Sequence, residues 1–185
     1  MRAIEEQASR DGLTGVWNRR HIDLLVATEL QRNTRTKQPL CAFLVDVDHF
    51  KAINDRFGHL SGDIALREVA NALQSSLRPT DHLGRFGGEE FLVLLPGTQL
   101  RDALICAERL RVQVSGLVSS SGCGNVTVSV GVASVEPGEL AAQWLARADR
   151  ALYAAKSAGR NRVAEATARM PITAQDSETV LLRDA

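Results

Sequence analysis

Residues 85–95, RFGGEEFLVLL, set two glycines and two adjacent glutamates directly before five apolar residues. An apolar run that short, bounded by a turn signal, suits a buried strand. The paired glycines suit the tight turn of a hairpin. The chain is thereby restricted to folds built on a sheet, and its two carboxylates need a reason. Side by side they repel each other and bring no packing. Either they face water, or a cation sits between them and another acidic group.

The rest of the chain supplies partners for that hairpin. DGLTGVWN is rich in turn residues and ends at Asn18, a good N-cap for a helix from Arg19 to about Thr34. LCAFLVDVD reads as a buried strand that turns acidic at its end, and FKAINDRFGH can form one or two helical turns. SGDIALREVANALQSSLR is an amphipathic helix, and LRDALICAERLRVQV repeats its apolar residues with the helical period. NVTVSVGVASV alternates with period two over Val126, Val128, Val130 and Val132, as a strand does. ELAAQWLARADRALYAAKSAG is a further helix ended by Gly159, and RNRVAE a short last strand. The expected architecture is an α/β (α+β) sandwich, a central mixed β-sheet flanked by helices. Residues 1–10 read as the end of a helical connector, 11–164 as the folded domain, and 165–185 as a flexible tail.

At 185 residues, with 44% hydrophobic side chains, one ordinary core is expected. The 22 basic and 22 acidic residues cancel, so no global field attracts a nucleic-acid polymer or an anionic membrane. Any anionic ligand must be held by local groups. Cys41, Cys106 and Cys123 lack metal-ligand spacing, and the first two read as small core residues. With no apolar run of membrane length and no signal-peptide pattern, a soluble, cytoplasmic protein is expected.

Asp46 and Asp48 lie two apart, so on a strand they share a face. If that strand lies beside the hairpin, Asp46 and Glu89 converge. Hard oxygen donors without nearby His or Cys suit Mg²⁺ or Mn²⁺, and Mg²⁺ favours phosphate oxygens as co-ligands. Asn54 offers a donor and an acceptor, and Asp63 two acceptor oxygens. Taken alone, they are equally a turn Asn and a helix-start Asp.

RFGGEEF resembles the signature of the GGDEF-domain family, the diguanylate cyclases, in its GGEEF form. DGLTGVWNRR, DVDHFKAINDRFGHLSGD, TVSVGVA and ADRALYAAKSAGRN are similar to further blocks of that family, in order, over about residues 11–164. The resemblance implies a palm-like, nucleotidyl-cyclase-like fold with a ferredoxin-like βαββαβ core. It implies condensation of two GTP into cyclic di-GMP with release of two pyrophosphates. Two Mg²⁺ (or Mn²⁺) ions per active site would be held by Asp46, the Val47 carbonyl and Glu89, where the family often has Asp. Asp46, Glu89 and Glu90 form the catalytic set, Glu90 as a further ligand or in activating the hydroxyl. Asp48 is not assigned as a ligand.

By the same resemblance Asn54 and Asp63 read guanine. Phe50 and Lys51 offer main-chain amides to phosphate at a helix start. Lys156 and Arg160, four apart near a helix end, would share one face and bind phosphate too. Gly87 and Gly88 form the active-site turn. RPTD, with Arg78 nine residues before Gly87, matches the family's RxxD inhibitory site for cyclic di-GMP, with Arg78, Asp81 and Arg109 as its residues. A product with twofold symmetry implies a transient homodimer, and the connector implies an upstream sensor or receiver module. Two alternatives stand. One is a non-catalytic member that acts as a cyclic di-GMP or GTP receptor. The other is a different two-metal nucleotide enzyme, a nucleotidyl cyclase or polymerase.

Overall fold

A computed structural model describes residues 9–166. The elements run α1 (Arg19–Thr36), β1 (Leu40–Val47), α2 (Phe50–Phe57), α3 (His59–Ser75), β2 (His82–Arg85), β3 (Glu90–Pro96), α4 (Leu100–Ser115), β4 (Val128–Ser134), α5 (Ala141–Ser157) and β5 (Val163–Glu165). Five strands form one sheet in the order β2-β3-β1-β4-β5. All neighbours are antiparallel except β4 and β5, which pair in parallel. The sheet is mixed, as expected, and β1 to β4 with their intervening helices carry the βαββαβ order.

The strands alternate their side chains between two cores. Phe43, Val45, Val47, Phe91, Val93 and Val130 point to one face, where α3 and α4 cover them with Leu66, Val69, Leu73, Ala107 and Leu110. Ala42, Leu44, Leu92 and Leu94 point to the other, against Ile22 and Val26 of α1 and Trp144, Ala148 and Leu152 of α5. Because both faces are covered, every residue of β1 is buried, and its sequence is a continuous apolar run rather than an alternating one.

Two glycines set how closely the helices of the second face approach. A Cβ on Gly84 would lie 2.6 Å from the Ile22 Cβ, and one on Gly131 only 2.1 Å from the Ala148 carbonyl oxygen. β4 and α5 are therefore in near backbone contact, which brings the C-terminal end of α5 over the end of β1.

Asn18 caps α1 as expected, accepting from the His21 N–H. Arg10 bridges to Trp17, and the Arg85 N–H bonds to the Trp17 carbonyl at 2.8 Å, so the turn-rich stretch adds an edge to β2. β4 starts at Val128, later than the valine alternation suggested, although the Asp48 N–H still bonds to the Thr127 carbonyl. The expected connector lies almost wholly in residues 1–8, outside the described residues. The tail assignment falls outside them beyond Ala166; Glu165 ends β5, and Ala166 is buried and donates to Val132. Cys41 is buried as expected, whereas Cys106 is half-buried on the edge of a cleft.

Candidate active site

Asp46 stands directly opposite Glu90 in the β1–β3 register. Both fall on the face of Leu44 and Leu92, towards α1 and α5, because side chains two apart on a strand share a face. Glu89 precedes β3, and its carbonyl accepts from the Val47 N–H at 3.2 Å. Lys156, in the last turn of α5, places its Nζ 2.8 Å from Asp46 Oδ2. Burial pushes the Asp46 carboxyl up to about 6; Lys156 pulls it down, while the charges of Glu90 and Glu89 raise it further. An acid so buried among other acids calls for positive charge, and Lys156 supplies one.

In the strand register Glu90 is the direct partner of Asp46, while Glu89 lies at the turn just before β3. Among the described residues, no three acidic, His or Cys side chains converge closely enough to hold a metal by themselves. The donors present are two or three carboxylates and main-chain carbonyls. They fit a hard divalent cation that takes its remaining ligands from water and phosphate.

The GGEE turn is held from three sides. The Phe86 and Gly87 N–H groups donate to the Glu90 carbonyl at 2.8 and 3.2 Å. Arg85 donates twice to the Gly88 carbonyl, at 3.0 and 2.7 Å, and pairs with Asp11 at 3.3 Å. Arg19 donates to the Phe86 carbonyl and lies 3.7 Å over its ring. Gly87 and Gly88 both have negative φ, so no left-handed backbone demands them. A Cβ on Gly87 would lie 2.7 Å from Glu90 Oε2 and displace that carboxylate, whereas one on Gly88 would meet nothing within 4 Å.

Two residues separate β1 from α2, the second of them His49 in the left-handed region. Its first amides, Phe50 and Lys51, have no carbonyl one turn back within the helix. Asn54 leans onto α3, where a Cβ on Gly62 would lie 2.0 Å from its Oδ1. Asn54 therefore lies against Gly62, the residue before Asp63, so the two candidate base readers border one notch between α2 and α3.

Arg160 departs from expectation. α5 ends at Ser157, Gly159 turns the chain at φ +113°, and Arg160 and Asn161 are left-handed at φ 60° and 46°. Arg160 and Lys156 therefore do not share a helical face. Arg160 is presented from a turn that the Arg160 N–H closes onto the Ala155 carbonyl at 3.1 Å.

A second cleft, of about 160 Å³, opens on the other face, lined by Arg78, Asp81, Cys106 and Arg109 among others. The three expected inhibitory-site residues meet there. The Arg78 N–H donates to Asp81 Oδ2 at 2.9 Å, and Arg109 donates to the Ser76 carbonyl at 2.9 Å. Asp81 is 8% exposed, burial raises its carboxyl, and its Oδ1 has no hydrogen-bond partner. An unpartnered buried acceptor is uncommon, because leaving it unsatisfied costs free energy.

Residues 8–162 match the family model described as diguanylate cyclase, GGDEF domain. The chain belongs to the GGDEF family. This GGDEF domain is 45% identical over 163 residues to the response regulator PleD of Caulobacter vibrioides, a match covering 85% of the chain and 36% of PleD. It is 43% identical over 160 residues to the diguanylate cyclase DgcM of Escherichia coli, covering 86% of the chain and 39% of DgcM. The chain thus spans well under half the length of these relatives. Its fold superposes, with a TM-score of 0.83 and 37% identity, on the GGDEF domain of DgcB from Caulobacter crescentus in complex with c-di-GMP, covering 87% of this chain and 94% of that one.

Arg19, Arg85 and Asp11, which hold the GGEE turn, were not singled out from the sequence. Arg85 was visible inside RFGGEEF. Asp11 was signalled by Thr14 three residues on, whose N–H and hydroxyl both donate to its carboxylate.

Proposed function

We propose that this GGDEF domain condenses two GTP into cyclic di-GMP with release of two pyrophosphates. The observation that carries the reading is the meeting of Asp46 and Glu90 across β1 and β3, with Glu89 at the turn and Lys156 beside the buried carboxylate. Asp46, the Val47 carbonyl and Glu89 would hold Mg²⁺ or Mn²⁺, two per site, and Glu90 adds a further donor on the same face. Bound divalent cations lower the pKa of a ribose 3′-hydroxyl and neutralise charge on the α-phosphate and the leaving pyrophosphate.

The remaining work is positioning. Asn54 and Asp63 read the guanine edge from the α2–α3 notch. The Phe50 and Lys51 amides, with Lys156 and Arg160, hold the triphosphate. Two protomers meet face to face, each presenting its 3′-hydroxyl to the other's α-phosphate. Each new bond to phosphorus replaces the bond to the β-phosphate's bridging oxygen, and pyrophosphate departs.

The cleft of Arg78, Asp81 and Arg109 takes cyclic di-GMP and restrains turnover. Guanine N–H groups suit the unpartnered Asp81 oxygen, and the guanidinium forks suit guanine edges and phosphates. The input is a sensor or receiver module, in keeping with the response-regulator name of PleD. Neutral net charge speaks against a polymeric nucleic-acid substrate, and no described helix is long and apolar enough to cross a membrane. A cytoplasmic location goes with GTP as substrate.

The test is product formation from GTP and Mg²⁺, on protein first freed of cyclic di-GMP with a phosphodiesterase. Cyclic di-GMP should appear and vanish in Glu89→Gln. No product from a folded, stripped protein, even when fused to a dimerising helix, would overturn the cyclase reading and favour a receptor that works through Arg78 and Asp81.

A further inference from the structure

We propose that Asp48 and Arg111 act as a positioning pair, holding the Arg160–Asn161 turn in the shape that presents Arg160 to a nucleotide's phosphates. The inference rests on the reading of Arg160 as a phosphate ligand.

Asp48 is 4% exposed, and both its oxygens are occupied. Oδ1 accepts from the Ser129 hydroxyl at 2.7 Å. Oδ2 accepts from the Thr127 hydroxyl at 2.7 Å and from the Asn161 N–H at 3.0 Å. A carboxylate saturated by neutral donors is poorly placed to bind a cation, although it lies two residues from Asp46. It can instead join the end of β1, the start of β4 and the turn after α5. Hydrogen bonds to a charged acceptor are roughly twice as strong as neutral ones, which suits a fixed anchor.

The turn needs an anchor. Arg160 and Asn161 are consecutive left-handed residues, at φ 60° and 46°. Asn tolerates this region, but for Arg it is strained, and such backbone persists where its surroundings impose it. Asp48 fixes the main chain of Asn161. Arg111 fixes the side chain, donating from Nη1 to Asn161 Oδ1 at 2.6 Å. Arg111 is itself held by Glu108 through two bonds of 2.9 and 2.6 Å. On the far side, the Val130 N–H bonds to the Arg162 carbonyl at 2.9 Å and seats the chain as β5 begins. One segment, Asp46 to Asp48, thereby sets the acidic centre and the cationic turn in register.

The test uses calorimetry with a non-reactive α,β-methylene analogue of GTP and Mg²⁺, and paramagnetic resonance with Mn²⁺ alone. Asp48→Asn keeps the shape but sets an NH₂ against a donor. It should weaken the analogue about tenfold, and Arg111→Met about threefold. Neither should weaken it further in an Arg160→Ala background, because groups acting through one residue are non-additive. Mn²⁺ affinity without nucleotide should stay unchanged. Losses that multiply with Arg160→Ala, or Mn²⁺ binding that falls along with analogue binding, would overturn the pair. So would normal analogue binding by Asp48→Asn where Arg160→Ala binds weakly. If Arg160→Ala itself binds normally, the phosphate reading of Arg160 fails first, and the positioning role falls with it. Should Asp48→Asn not fold, the Arg111→Met and Arg160→Ala cycle decides alone, additivity counting against.

Discussion

At Gly87 a single hydrogen decides where a carboxylate can lie. A Cβ there would come 2.7 Å from Glu90 Oε2, the flexible end of a side chain, so the fold can yield while the site cannot. Gly87→Ala is expected to change stability by less than about 1 kcal/mol and to lower turnover by at least about tenfold. Denaturant melts beside initial rates check this, and unchanged turnover would remove Glu90 from the chemistry. Asp46 carries a pH signature. Its carboxyl lies near about 6, chiefly through burial, and only the ionised form binds a cation. Mn²⁺ affinity without nucleotide should therefore climb between about pH 5 and about pH 7 and then level off, where an unburied Asp would level off about two units lower. A flat titration over that range would mean that burial does not hold the proton on Asp46. The acids at these positions were legible because composition gives no other reason for them. Their pairing was not, since strand register decides that Glu90 stands opposite Asp46.

At the scale of elements, α5 delivers Lys156 to the site by riding close on β4. Gly131 permits it, since a Cβ there would lie 2.1 Å from the Ala148 carbonyl oxygen and 2.3 Å from the Leu152 nitrogen, both backbone. Backbone cannot swing aside as a side chain does. Gly131→Ala should thus cost on the order of 3 kcal/mol, lower Tm by roughly 6–12 °C, and reduce turnover beyond what the melt explains. A Tm within about 2 °C of the parent would show that α5 can lift away. The helices and strands themselves were readable from period and caps: Asn18 opens α1, and the apolar run 40–45 is β1. Arg160 was misread because spacing by four implies a shared helical face only while the helix lasts, and this one stops at Ser157.

For the whole molecule, the proposed cyclase reading has the carboxylates of one chain hold one nucleotide, while cyclic di-GMP joins two by equivalent bonds. Specific activity should therefore rise with protein concentration, total rate growing faster than linearly until protomers associate fully. Initial rates beside light scattering test this, and linear scaling from a monomeric sample would refute the face-to-face arrangement. The sequence by itself determined the element order, the two-sided sheet and the residue types gathered at the end of β1, because hydrophobic period, turn chemistry and unexplained acids are local signals. Only the tertiary structure decided which acid faces which, that Arg85 and Asp11 brace the turn, that Arg78, Asp81 and Arg109 share one cleft, and that Asp48 reaches Asn161. Those are contacts between segments up to 113 residues apart. They depend on strand register and on how closely helices approach the sheet, which no local pattern encodes.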